Sequence, residues 1–191
     1  KKRASKSRSR PKKRASKSRS RPKKSASKSR SRPKKSASRR RPRKKNGVCV
    51  FDIDNTLTCK KDKCSPPQLE YMKKSIKLCK SHNFDIAINT ARPPQHDILF
   101  GIPTEVRDLI SHAKVYSRPR GGRKVEVHKF ANMKSIAKDH DVDVEHTILV
   151  DDLLSTCKYV NQRNVPAVHV VKENGITRAE YTKLKATLKN L

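Results

Sequence analysis

The chain has 191 residues, with 49 Lys and Arg against 17 Asp and Glu, a formal net charge of +32 and no Trp. Residues 1–45 hold 25 of the bases and no acid, so the remaining 146 residues carry only +7, and all eight Phe and Tyr lie at Phe51 or later. No run of about 18 apolar residues exists to span a membrane, and the basic start lacks the apolar core of a secretory signal.

Residues 1–45 read as an 11-residue repeat. KKRASKSRSRP fills 1–11 and 12–22, KKSASKSRSRP fills 23–33, and a decayed copy follows at 34–44. One Ala per copy gives no apolar face on which repeats could stack, so this is an array of charge and is expected to be disordered alone. Lys1, Lys2, Arg3, Lys12, Lys13, Arg14, Lys23, Lys24, Lys34, Lys35, Arg39, Arg40 and Arg41 are the candidate nucleic-acid contacts. Such a tail binds polyanions by counterion release, without aromatic stacking or groove reading, and therefore without sequence specificity. In composition it resembles protamine-like and linker-histone-like tails. Its 12 serines could carry roughly −18 to −24 of phosphate charge if all were modified, nearly cancelling the bases. A nuclear targeting role is the alternative, and nucleus or virion is the expected location.

From residue 46 onward one domain is expected. Val48–Phe51 is an apolar, β-prone run of the kind buried on both faces of a sheet. Ser65-Pro66-Pro67 opens a helix with Leu69, Met72, Ile76 and Cys79 at spacings of three and four. Phe84–Ile88 is the second strand. Val106, Leu109 and Ile110 mark a short helix before a third strand near Ala113–Tyr116. A helix carrying Phe130, Met133, Ile136 and Ala137 precedes a fourth strand, Thr147–Val150. Leu153, Leu154, Cys157 and Val160 then repeat at helical spacing, Ala167–Val171 reads as the fifth strand, and Thr177 with Glu180 caps a last helix burying Tyr181, Leu184, Leu188 and Leu191. Alternation of this kind predicts an α/β fold, a parallel sheet with helices on both faces. Cys49, Cys59, Cys64, Cys79 and Cys157 are odd in number and read as reduced thiols. A zinc site from Cys59, Cys64, Cys79 and His82 is disfavoured, because Cys79 lies on the apolar stripe of its helix.

Ligands of parallel sheets bind beyond the carboxyl ends of the strands. Three predicted strands end there in polar residues: Asp52-Ile53-Asp54-Asn55-Thr56, Asn89-Thr90-Ala91-Arg92, and Asp151-Asp152. Four carboxylates along one edge repel each other unless a cation sits among them, and hard oxygen ligands point to Mg²⁺.

These segments resemble the motifs of the haloacid dehalogenase (HAD) superfamily. VCVFDIDNTLT is similar to its first motif, FDIAINT to its second and TILVDD to its fourth, while VHKFANMKSIA supplies a lysine for the third. The likeness covers about residues 46–175 with all four motifs in order. It implies a phosphatase in which Asp52 is the nucleophile and Asp54 the general acid and base. Thr90 would hold a phosphoryl oxygen, and Lys129, at a helix start, would balance charge, ahead of Lys124 and Lys134. Mg²⁺ would be held by Asp52, Asp151, Asp152 and the carbonyl of Asp54. Little room is left for a cap domain, so an open site and a macromolecular or end-group substrate are expected. Arg92, two residues after Thr90, resembles the arrangement in polynucleotide 3′-phosphatases, although Leu153 stands where that group has an Arg. Thr56, Asn89, Arg92 and the loop bases Arg118, Arg120 and Arg123 are the candidate substrate contacts. The rival expectations are a non-enzymatic packaging scaffold on the same fold, and a protein or nucleotide phosphatase whose tail is a targeting signal.

Overall fold

The computed structural model describes residues 44–59, 64–94, 97–118, 124–171 and 175–191. The candidate tail contacts up to Arg41, and Arg120 and Arg123, lie outside the described residues. Five strands, β1 (Gly47–Phe51), β2 (Phe84–Asn89), β3 (Lys114–Tyr116), β4 (Thr147–Asp151) and β5 (Ala167–His169), form one all-parallel sheet in the order β3-β2-β1-β4-β5. The helices are α1 (Pro66–Ser81), α2 (Thr104–Leu109), α3 (Val125–Asp139), α4 (Leu154–Asn161) and α5 (Arg178–Lys189).

Alternation along the strands divides the core into two layers. Cys49 and Phe51 of β1, Ile86 and Ile88 of β2, and Ile148 and Val150 of β4 pack with Met72 and Ile76 of α1, Val106 of α2 and Leu184 and Leu188 of α5. The intervening residues, Val48, Val50, Ala87 and Leu149, meet Met133 and Ile136 of α3 and Val160 of α4. Helices thus cover both faces, as the pattern predicts. Gly47 is required at the entry to β1, because a Cβ there would lie 2.1 Å from the carbonyl oxygen of His146.

Both helix starts with a capping box are present: Gln68 accepts from the Ser65 backbone N–H at 2.8 Å and Glu180 from that of Thr177 at 3.0 Å. Some details differ from the sequence pattern. Leu153 is the N-cap and Leu154 the first residue of α4, and both are exposed, while of the apolar residues at this spacing Cys157 and Val160 are buried. Leu191 lies past the end of α5 and is exposed, while Tyr181 is half-buried against Tyr71 with ring centroids 5.8 Å apart. β5 ends at His169 rather than at Val171. Four cysteines are paired, not reduced: Cys79 on the buried stripe of α1 faces Cys49 on β1 with Cα atoms 6.3 Å apart, and Cys59 is bonded to Cys64. That pairing also removes Cys79 from any zinc set. Cys157 is free and buried. Among the described residues, no helix is long and apolar enough to cross a membrane.

Candidate active site

The chain winds outward from β1 through β2 to β3, then returns to the other side of β1 to form β4. The crevice at the carboxyl ends of β1 and β4 is therefore the point where strand order reverses, the usual ligand position in such sheets. Phe51 pairs with Val150, and the Asp52 N–H donates to the Val150 carbonyl at 2.9 Å. This register brings Asp52, just past β1, beside Asp151, the last residue of β4.

Both carboxylates are buried, and one cation is buried with them. Lys129 Nζ lies 3.0 Å from Asp52 Oδ2 and 2.6 Å from Asp151 Oδ2, with its side chain 1% exposed. Lys129 sits one turn into α3 rather than at its start, while Lys124, Lys134 and Lys138 are exposed. Burial works against the Lys129 ammonium, but Asp52 and Asp151 outweigh it and hold its pKa above the ordinary lysine value. Burial pushes the Asp52 carboxyl up to about 7, opposed by Lys129 and reinforced by Asp151. Asp152, half-buried, is also raised, by burial first and by Asp151, while a 2.9 Å hydrogen bond from Asn55 Nδ2 opposes the shift.

Asp52, Asp151 and Asp152 each present a carboxylate oxygen within 4.8 Å of the others, a set that could hold a metal ion. Asp52 Oδ1 is buried without a hydrogen-bond partner. A buried carboxylate oxygen left unpaired is costly, and a cation among these three acids would satisfy it. Hard oxygen donors in this number fit a divalent cation.

The turn after β1 shapes the rest of the site. The N–H groups of Thr56, Leu57 and Thr58 all donate to the Ile53 carbonyl, and Thr58 Oγ1 accepts from the Asn55 N–H at 3.0 Å. Asn55 is left-handed at φ 54°, a conformation Asn tolerates, and there its amide reaches Asp152. Gly175, at φ 79°, donates its N–H to the Asn55 carbonyl at 3.0 Å, and a Cβ on it would lie 1.9 Å from Met72 Cε. Thr56 is fully buried and its hydroxyl has no partner, so it belongs to the interior of the turn and not to an accessible substrate surface.

Asp54 stands apart from the three-acid cluster, with its side chain 51% exposed. Arg92 grips it: Nε lies 3.1 Å from both carboxylate oxygens and Nη2 lies 2.6 Å from Oδ1. Arg92 Nη1 donates to the carbonyls of Ile98 and Phe100 at 3.0 and 2.6 Å. Arg92, expected to meet substrate, is here occupied by protein groups through all three nitrogens. Asn89 is also turned inward, since its Nδ2 donates to the Lys129 carbonyl at 2.8 Å and its Oδ1 accepts from Asn132 at 2.9 Å. It braces the turn of α3 that carries Lys129 and is buried away from any substrate. Thr90 is buried at the end of β2, and its hydroxyl accepts from the Arg92 N–H at 3.1 Å. Arg118 joins this segment by donating its backbone N–H to the Arg92 carbonyl at 3.2 Å. Asn55, Asn132 and Gly175 escaped the sequence reading. Asn55, inside a tight acidic turn, was the one with a local signal.

The fold is similar to that of an uncharacterized protein from Corynebacterium glutamicum ATCC 13032 Kitasato, with a TM-score of 0.53 and 13% sequence identity over 75% of this chain and 95% of that one. That likeness concerns the fold alone. No family model and no curated protein matches the chain.

Proposed function

We propose that this chain is a Mg²⁺-dependent phosphomonoester hydrolase of the HAD type, acting on nucleic-acid ends or another phosphorylated macromolecule. The carrying observation is Asp52 Oδ1, a carboxylate oxygen buried without a partner inside a three-acid cluster. The ordered motifs over residues 46–175 add the family resemblance. Asp52, Asp151 and Asp152, with the Asp54 carbonyl, would hold the ion. When bound, Mg²⁺ offsets the acids' charge and polarises the phosphoryl oxygens.

The chain's own residues carry the steps. Asp52 attacks phosphorus through a carboxylate oxygen, the bond to the leaving oxygen breaks, and Asp54 gives that oxygen a proton. Water then attacks the aspartyl-phosphate, Asp54 takes back a proton, and phosphate departs with Asp52 restored. Among the described residues, Asp54 Oδ2 meets Arg92 Nε at 3.1 Å while Oδ1 is held by both Nε and Nη2, so Oδ2 would be the oxygen that exchanges the proton. Thr90 accepts from Arg92 and so keeps its own O–H to donate to a phosphoryl oxygen. Lys129 holds positive charge beside both the nucleophile and Asp151. The basic repeat would bind nucleic acid non-specifically and keep the catalytic domain near it, in a nucleus or a virion.

Hydrolysis of a generic aryl phosphate by the full chain with Mg²⁺ tests the reading. Asp52→Asn should lower kcat roughly 10³-fold or more, and chelation of the metal should abolish turnover. Equal rates for the two proteins would leave a scaffold as the better account.

A further inference from the structure

We propose that the Cys59–Cys64 disulfide is a thiol-exchange site, and that its opening by a small thiol weakens divalent-cation binding at Asp52, Asp151 and Asp152. It rests on the metal reading of that cluster, whether or not the chain hydrolyses a phosphate.

Both disulfides fasten the same helix. Cys49 of β1 is bonded to Cys79 in the last turn of α1, while Cys59, just past the turn that follows β1, is bonded to Cys64, just ahead of the α1 N-cap Ser65. The two loops are nested, with sequence separations of 30 and 5. Closing so short a loop removes less entropy from the unfolded chain than closing the long one, so global stability is not the main effect of the Cys59–Cys64 bond.

The bonds also differ in access. Cys49 and Cys79 are fully buried between β1 and α1, and Cys59 is 4% exposed. Cys64 is only half-buried, and Ser65, Pro66 and Pro67 after it are exposed. Exchange requires access to the attacked sulfur, and Cys64 offers it. The thiolate of a small thiol attacks Cys64 Sγ, the bond to Cys59 breaks, and Cys59 leaves as a thiolate that takes up a proton. A second thiolate attacks the reagent's sulfur in the mixed disulfide, releasing Cys64 and the oxidised reagent. Two thiols thus supply the two electrons that reduce the protein bond.

The consequence for the site runs through the neighbouring residue. Thr58 precedes Cys59, and its hydroxyl accepts from the Asn55 N–H at 3.0 Å and donates to the Ile53 carbonyl at 3.2 Å. Those bonds fix Asn55, whose Nδ2 donates to Asp152 Oδ2 at 2.9 Å. With the disulfide closed, this turn is tied to the head of α1; with it open, Thr58 loses that tie and Asn55 its fixed position against Asp152. Asn55 is a positioning residue, and partners that orient a metal-binding carboxylate typically account for about 10- to 100-fold in affinity. A thiol-rich compartment would then hold the cluster in its weaker-binding state, and an oxidising one in its tighter state.

The experiment equilibrates the full chain with reduced and oxidised glutathione in varied ratio, alkylates it and maps the thiols by peptide mass spectrometry. Cys59 and Cys64 should take label as reduced glutathione comes to dominate, while Cys49 and Cys79 stay paired until denaturant is added. Mn²⁺, followed by the electron paramagnetic resonance of the free ion, should bind roughly tenfold more weakly to the reduced chain. Reoxidation should restore the affinity, which separates a local change from unfolding. Cys59→Ser with Cys64→Ser should bind Mn²⁺ as the reduced chain does at every glutathione ratio. Asn55→Ala should weaken binding in the oxidised chain and leave reduction little further effect, the non-additivity of two changes acting through Asp152. Cys157→Ser should respond to glutathione as the wild type does. A Cys59–Cys64 bond that resists reduced glutathione, its opening only together with Cys49–Cys79, or equal Mn²⁺ affinity in the two states would overturn the proposal. An oxidised chain that binds no Mn²⁺ overturns both the proposal and the metal reading. Redox-dependent Mn²⁺ binding without turnover of an aryl phosphate overturns the hydrolase reading and leaves the exchange site standing.

Discussion

Lys129 and Asp85 hold their charges by different means. Lys129 is sealed between two buried carboxylates, so removing it would leave two anions uncompensated, the costly case for a buried pair. Asp85, on β2 near the opposite end of the sheet, is open to solvent on one side and paired with Lys45 and His140, each at 3.0 Å. Burial opposes its charge, but the bonds from His140 and Lys45 outweigh it and hold the carboxyl below the ordinary Asp range. A depressed folded-state pKa contributes stability above the unfolded value of about 3.9 and loses it as pH falls through the folded value. Asp85→Asn should therefore be less stable than wild type near neutral pH. The two urea-unfolding free energies should converge as pH drops below about 4. A gap independent of pH down to 3 would show that the pairing contributes nothing through ionisation.

At the level of elements, strands β1, β2 and β4 were legible as short apolar runs because both of their faces are buried, and α1 because its stripe repeats at helical spacing. Asp52, Asp151 and Lys129 were legible for a related reason: each stands at a strand end or one turn into a helix, where topology delivers it to the same edge. What sequence could not convey was orientation. Arg92 and Asn89 sit at the expected strand end, but their partners, Asp54 and Asn132, are 38 and 43 residues away, and no local pattern reveals that they turn inward. The cysteines differ for the same reason, since the pairing of Cys49 with Cys79 depends on how α1 lies over β1. Thiol titration in denaturant without reductant should find one free thiol per chain, Cys157, whose burial pushes it up to about 12 in the native state. Five free thiols would restore the reduced reading.

Across the whole molecule, charge is unevenly divided. The first 45 residues carry 25 bases and no acid, while the later part encloses Asp52, Asp151 and Asp152 around one lysine. DNA affinity of the full chain should fall with salt at about 0.9 log units per log unit for each phosphate contacted. A chain lacking residues 1–43 should lose most of that affinity and its slope while retaining turnover of a small aryl phosphate. Unchanged binding would place the nucleic-acid surface elsewhere.

The central strand of this sheet is the first one synthesised. β1 emerges with Asp52 and Asp54 at its end, yet Asp151 and Asp152 follow about 100 residues later, and the turn after β1 is backed by Gly175, which reaches the Asn55 carbonyl. On a ribosome adding roughly 5–20 residues per second, several seconds separate the first acid from the last. During that interval a nascent chain carries the basic repeat but no assembled acid cluster. If the repeat binds polyanions and the acids bind a divalent cation, as proposed, the first contact becomes available several seconds before the second.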